Sequence, residues 1–149
     1  MSVLSWGKPT FETSTSTNGK PAEVWKELPT PKEDTLKLTP TAGTDTDATE
    51  EGGDLVDTRR GKNSYSLEFD LFVKKGEQRP WEDNDGKIDG EHAFRITPED
   101  EAREGIQIDR AKLSVEENYT TADGILLHYV ARCLKPAVGK TVKPYTKGA

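Results

Sequence analysis

The clearest pattern of hydrophobic and polar positions lies in SYSLEFDLFV, residues 64–73, where apolar and polar side chains alternate. One side of this segment carries Tyr65, Leu67, Phe69, Leu71 and Val73, and the other carries Ser64, Ser66, Glu68 and Asp70. Such alternation is typical of a strand, because successive side chains point to opposite faces of a sheet. The segment is therefore predicted to be a strand with one face in the core and its acidic face in water.

A second apolar run, ILLHYVARCL at residues 125–134, has hydrophobic side chains on both faces. A helix is the competing prediction, but the β-branched and aromatic content, with Gly124 before the run and Pro136 after it, favours a strand. The Asp-Gly turn in ENYTTADG predicts that this strand forms a hairpin with the preceding one. A strand that is apolar on both faces needs a second partner. Leu126 and Val130 are therefore predicted to contact a short helix or a neighbouring subunit.

Weaker patterns predict the remaining elements. TLKLT at residues 35–39 and HAFRIT before Pro98 have the composition and spacing of short strands. After Ile106 the apolar positions shift by one residue near Asp109, which indicates a β-bulge or a break between two strands. PEDEAREG, residues 98–105, predicts one or two turns of helix, because it begins with proline and acids and ends with glycine.

Together these elements predict an all-β fold: a sandwich or barrel of antiparallel sheets with one short flanking helix and a long loop. The 149 residues suit a single domain. Apolar residues make up 32% of the chain and charged residues another 32%. The core is therefore expected to be small and the connections long.

The long loop is predicted at about residues 44–62, where six acids fall between Asp45 and Asp57. Its centre is the stretch GGDLVDTRRGK, whose candidate contact residues are Asp54, Leu55, Val56, Arg59 and Arg60. The apolar pair is expected to dock on another copy of the chain, with the arginines paired to acids there. The alternative is an ordinary disordered loop.

The net charge of −6 is unevenly distributed along the chain. Residues 135–149 contain four lysines and no acid, and a flexible basic tail is predicted for residues 137–149. The rest of the chain is acidic and has no basic patch interleaved with aromatic residues, which argues against direct nucleic-acid binding. The opening stretch MSVLSWGKPT has neither a basic leader nor a long apolar run, so no membrane partner is expected.

The segment WEDNDGKIDGEH, residues 81–92, resembles a calcium loop in composition. With Gly86 at the sixth position, the first and twelfth positions are Trp81 and His92, which are unsuitable calcium ligands. A polar connection made of turns is predicted instead, with Trp81 available for a subunit interface. The other two tryptophans, Trp6 and Trp25, are predicted to be buried.

The sequence offers no convincing catalytic or cofactor site. Cys133 is the single cysteine, so an internal disulfide or a thiolate metal site is excluded, and two histidines are too few for a histidine-built metal site. Gly139-Lys140-Thr141 resembles the end of a phosphate-binding loop, but Leu134 stands where the first glycine is required. We expect no enzyme activity, no metal and no cofactor.

The order of segments resembles the tail-tube (major tail) proteins of long-tailed bacteriophages over residues 35–136. The similarity lies in the polar loop that leads into SYSLEFDLFVKKG, the connection into FRITPED and the closing hairpin TTADGILLHYVARCLKP. It implies a β-sandwich whose copies join edge to edge in rings, commonly of six, that stack into a hollow tube for genome delivery. The implied location is the virion tail, after synthesis in the host bacterial cytoplasm.

The resemblance also implies partners and roles for particular residues. The partners are further copies of the chain, other tail proteins, and DNA that passes through the lumen without specific binding. Residues 44–62 occupy the place of a loop that reaches the adjacent ring. Glu68 and Asp70 are expected to face the lumen, since negative walls do not grip phosphates. The alternative is a monomeric β-sandwich module that binds carbohydrate through Trp81 and the Asp-rich loop.

Overall fold

The computed structural model describes residues 3–147, which form eleven strands. In chain order they are β1 (Thr10–Thr17), β2 (Lys20–Pro21), β3 (Lys26–Glu27), β4 (Lys37–Thr41), β5 (Asp45–Thr49), β6 (Leu55–Arg60), β7 (Ser64–Phe72), β8 (Glu91–Thr97), β9 (Gly105–Thr120), β10 (Gly124–Cys133) and β11 (Lys143–Tyr145). No part of the described range is helical, so it contains no helix that could cross a membrane. The predicted all-β class is confirmed in its barrel-like form, a curled half-barrel sheet with a second small sheet.

The main sheet is antiparallel, with the spatial order β2-β1-β8-β9-β10-β7-β4. β3 adds to β1 and β11 adds to β9, whereas β5 and β6 pair only with each other. The predicted hairpin between β9 and β10 is confirmed, with a register that runs from Gly124 opposite Thr120 to Cys133 opposite Ala111. This long hairpin lies in the middle of the sheet, with β8 on one side and β7 on the other.

The core lies on the inner face of the curled sheet, and the alternation predicted for β7 is observed. Leu67, Phe69 and Leu71 are at most 1% exposed. Phe69 lies at the centre of an aromatic cluster, with its ring centroid 4.8 Å from that of Phe11 and 5.2 Å from that of Tyr129. Burying each such side chain contributes about 1.5–3 kcal/mol. These contacts join β1, β7 and β10, which are distant in sequence.

The phase shift near Asp109 is a β-bulge in β9. His92 pairs with Ala111 and Phe94 with Ile108, so β9 has one residue more than β8 between the two pairs. The bulge places Asp109 inside the protein at 5% exposure, where it accepts a hydrogen bond from the Gln107 amide (2.7 Å). A bulge rather than a chain break keeps β9 continuous for 16 residues.

The short helix predicted at residues 98–105 is wrong, because this segment is an irregular turn between β8 and β9. The Asp100 carboxylate accepts the Ala102 N–H (3.1 Å), and the Asp100 carbonyl accepts the Arg103 N–H (2.9 Å). A helix this short depends on packing against the body, and residues 99–104 are exposed or half-buried. Gly105 begins β9 instead of ending a helix. Glycine is required there because a Cβ would lie 2.1 Å from the Ile96 carbonyl oxygen.

Part of the segment predicted as a flexible tail is a strand, because β11 pairs with β9. The Arg95 guanidinium lies between two aromatic rings, 4.1 Å from the Trp25 centroid and 4.8 Å from the Tyr145 centroid. Lys143 forms an ion pair with the buried Asp109. These contacts attach the chain end to the body, and only residues 148–149 of the predicted tail lie outside the described residues.

Candidate assembly surfaces

Residues 45–60, within the predicted long loop, form a projecting hairpin of β5 and β6. We call residues 43–63 the hairpin arm. At its tip the Glu50 N–H donates to the Asp54 carbonyl (2.9 Å). All eleven residues of the two strands are exposed, and neither strand contacts any other strand in residues 3–147. The arm therefore has regular structure, but it gains no packing from its own body.

The neck of the hairpin arm is tightly packed. The Gly61 N–H donates to the Thr44 carbonyl (2.8 Å), and the Gly43 N–H donates to Asn63 Oδ1 (3.0 Å). A Cβ on Gly43 would lie 2.1 Å from the Gly61 carbonyl oxygen, so a larger residue would force the two chains apart. The close neck holds the two chains of the arm together at its base.

One face of the hairpin arm satisfies its polar groups internally. Arg60 Nε lies 3.6 Å from Asp45 Oδ1, directly across the hairpin. The Thr58 hydroxyl donates to Asp47 Oδ1 (2.6 Å). Asp45 of the same chain therefore competes with the predicted acid on another copy for Arg60, because Asp45 already lies within ion-pair distance.

The opposite face of the arm and its tip are open. Leu55, Asp57 and Arg59 alternate along this face of β6. Leu55 is 59% exposed and its neighbour Val56 is 58% exposed. Arg59 and Asp54 form no ion pair with any other described residue. An exposed apolar pair between acids, carried on a projecting element, has the composition of a docking element.

Glu68 and Asp70 lie on the outer face, by which we mean the face of β7, β9 and β10 opposite the core. His128 stands between them, with Nδ1 2.5 Å from Asp70 Oδ1 and Nε2 3.7 Å from Glu68 Oε1. The Lys37 ammonium is also 3.7 Å from Glu68. Both carboxylates therefore have partners within the chain: Asp70 has His128, and Glu68 has His128 and Lys37. Their lumen position stays a prediction.

Leu126 and Val130 flank His128 on the outer face, and both are half-buried. Leu126 lies opposite Phe72 on β7, and Val130 lies opposite Glu68. The sequence predicted that a helix or a neighbouring subunit covers this second apolar face. Since residues 3–147 contain no helix, a neighbouring subunit stays as the prediction.

Of the two tryptophans predicted to be buried, Trp25 is only half-buried, and the prediction is wrong for Trp6. Trp6 is 67% exposed, whereas Trp81 packs against the core. The Trp81 ring centroid lies 5.2 Å from that of Tyr129, 5.7 Å from that of His92 and 6.1 Å from that of Phe94. Trp81 thus serves the core first, and its packed ring is a poor platform for a sugar. Its role at a subunit interface stays a prediction.

The connection at residues 81–92 contains one tight turn, closed by the pairing of Asn84 with Lys87, and its last two residues begin β8. The Asp83 carboxylate accepts the Gly86 N–H (2.5 Å), and Ile88 anchors the segment at 9% exposure. Within residues 3–147, no three or more His, Cys, Asp or Glu side chains are grouped so that they could hold a metal ion.

The outer face also carries a pair of cations that the sequence pattern did not predict. Lys112 on β9 and Arg132 on β10 are direct cross-strand partners, and both are exposed. Neither side chain has an ion pair or hydrogen bond with any part of the described chain. Like charges directly opposite each other destabilise a sheet. Twenty residues separate the two in sequence, so only the strand register could reveal the pair.

Burial perturbs several titrating groups near the core. It raises the pKa of the Cys133 thiol to about 11 and that of the Tyr129 phenol to about 12. It also lowers the pKa of His92, partly offset by the hydrogen bond to the Asp89 carbonyl. A thiol with a raised pKa is a poor nucleophile, so Cys133 behaves as a small core residue.

Comparison with known proteins shows a likeness in fold. No protein-family profile matches the chain, and no curated protein matches it in sequence. Among solved structures, the chain is similar to the sheath/tube terminator of PVC, an extracellular contractile injection system, in its extended state. The TM-score is 0.57 at 11% identity, over 92% of this chain and 94% of the terminator. The two chains share a fold over nearly their whole lengths.

Proposed function

We propose that this protein is a structural component of a tail or tail-like particle, in which copies associate into rings that form a tube. The observation that carries the proposal is the hairpin arm, with its exposed Leu55 and Val56. An arm that contacts no other strand of its own chain gains stability by docking on another molecule. The fold shared with a tube and sheath terminator supports the same setting.

Within this proposal, the copies form stacked rings of a hollow tail tube, with six copies as the expected ring order. A terminal ring that caps the tube is an equally good fit to the fold. In either place the partners are further copies and other tail proteins, and genome delivery is the purpose of the tube. The protein acts by assembly and not by catalysis.

Electron microscopy of the concentrated protein tests the proposal. We expect rings, or tubes of regular diameter, and a matching high-mass species in analytical ultracentrifugation. Uniform monomers at every concentration, with or without a preformed tail end as a seed, would overturn it.

A matched pair of variants shows whether the hairpin arm is responsible. Leu55→Ser combined with Val56→Ser removes the exposed apolar pair, whereas Val24→Ser with Val138→Ser removes two apolar residues elsewhere that are more exposed still, at 80% and 65%. We expect the first variant to stay monomeric and the second to assemble. If both assemble equally well, the arm is not the contact.

A further inference from the structure

The unpaired cations Lys112 and Arg132 identify the surface that receives the hairpin arm. We propose that they, together with Val130, form an acceptor patch for the acidic apolar tip of the hairpin arm of a second copy. This inference rests on the proposed function, because it assigns the partner surface within the assembly.

The two cations repel each other in the isolated chain. Lys112 and Arg132 stand directly opposite each other on the outer face, fully in solvent contact. Nearby carboxylates are already engaged: Glu91 lies 2.8 Å from Arg110, and Glu68 is close to Lys37 and His128. The repulsion between the two cations is therefore uncompensated within the chain, and an acidic partner would remove it.

The tip of the hairpin arm and the patch are complementary. The tip of the arm places Asp54 and Asp57 on either side of the apolar pair Leu55–Val56. The patch presents groups of the opposite charge beside an apolar residue: half-buried Val130 lies two positions before Arg132 on the same face of β10, and Lys112 lies opposite Arg132. Apolar contact between the two surfaces would pair Asp54 and Asp57, the acids that flank the apolar pair, with the cations of the patch, whereas Arg59 lies two positions further toward the neck.

The patch and the hairpin arm lie on different parts of the molecule. β4 runs into the neck of the arm, and Thr39 on β4 lies opposite Ser66, which in turn lies opposite Arg132. The patch therefore belongs to the body, whereas the arm points away from it and contacts none of its strands. Donor and acceptor are different surfaces, so a head-to-tail contact would leave one of each free on every copy to continue the assembly.

Cysteine trapping tests the contact directly. In a Cys133→Ala background, a Leu55→Cys chain is mixed with a Val130→Cys chain that carries a longer tag, and the mixture is oxidised. We expect a disulfide-linked heterodimer to accumulate at least about fivefold above the yield from a Leu55→Cys chain mixed with a Val24→Cys chain. Equal yields, or no heterodimer while the wild-type protein forms rings, would overturn the patch and leave the proposed function standing. Absence of any wild-type assembly would overturn both.

Neutralisation separates assembly from stability. Lys112→Gln with Arg132→Gln should unfold at an equal or higher denaturant concentration, because it removes a repulsion, yet raise the concentration needed for assembly about tenfold. Lys74→Gln with Lys75→Gln, which removes two exposed cations elsewhere, is the matched control and should change neither. Unchanged assembly of the first variant would overturn the proposal.

A charge exchange and a DNA titration complete the test. Asp54→Lys with Asp57→Lys should fail to assemble alone and recover when Lys112→Glu and Arg132→Glu are added to the same chain. If instead the Lys112→Gln, Arg132→Gln variant assembles normally but loses affinity for a labelled DNA duplex, the patch is a nucleic-acid contact and the proposal is wrong.

Discussion

Phe69 and Phe72 lie three positions apart on β7, and truncation of each tests which face of the sheet is the core. Phe69 is completely buried, and its ring centroid lies within 4.8–6.3 Å of those of Phe11, Tyr129, Phe94 and Trp81. Phe72 is half-buried on the outer face, opposite Leu126. The same substitution at the two positions therefore removes the same atoms from two different environments.

We expect Phe69→Ala to cost about 4 kcal/mol, the range for a fully buried phenylalanine that leaves a cavity. Phe72→Ala should cost only about 1 kcal/mol, because much of its surface already meets water. Single domains are stable by about 5–15 kcal/mol, so Phe69→Ala can unfold the protein. In that case Phe69→Leu, which should lower the free energy of unfolding by about 1.5 kcal/mol, replaces it. Urea unfolding followed by tryptophan fluorescence measures all three, because Trp81 packs beside Phe69. Equal costs at the two positions would refute the assignment of the inner face as the core.

Three further predictions concern groups away from the arm. Burial raises the pKa of the Cys133 thiol from 9.0 to about 11. Iodoacetamide at pH 8 should therefore alkylate Cys133 roughly 100-fold more slowly in the folded protein than in urea. Equal rates would contradict the burial of Cys133. Burial lowers the pKa of His92 below 6.5, so the unfolded chain binds a proton at His92 at a higher pH than the folded chain does. The free energy of unfolding should therefore decrease as the pH falls below about 6.5. His92→Gln should reduce this decrease, measured as the change in urea midpoint between pH 7 and 5.5. Arg95→Ala should speed hydrogen exchange in β11, measured by mass spectrometry, because it removes the cation between Trp25 and Tyr145, and unchanged exchange would show that strand pairing alone holds β11.

The elements with strong periodicity were predictable. The alternation over residues 64–73 specifies β7, because its apolar set can be buried on only one face. The run at residues 125–134 likewise predicted β10, and the phase shift near Asp109 indicated either a bulge or a break, of which β9 has the bulge. In these stretches local propensity and burial favour the same structure, so the sequence pattern is sufficient.

The misses arise where tertiary contacts decide. The turn at residues 98–105 has helix-like ends, but Gly105 is required where β9 approaches the Ile96 carbonyl. The chain end looked like a flexible lysine-rich tail, yet Tyr145 packs on Arg95, a contact between residues fifty positions apart. The pair Lys112 and Arg132 depends on the β9–β10 register and is invisible to composition or spacing.

The edges of the sheet bear on how copies meet. β4 forms one edge and contains Pro40, which has no N–H to donate, and the exposed Lys37. The other side ends in β2 and β3, which are two residues long each. Short strands, proline and lysine are the features that prevent strand addition at sheet edges. The edge-to-edge joining implied by the tail-tube resemblance therefore meets poor templates on both sides. Docking of the hairpin arm on the outer face needs no free edge, and for that reason we expect it to be the contact that starts assembly.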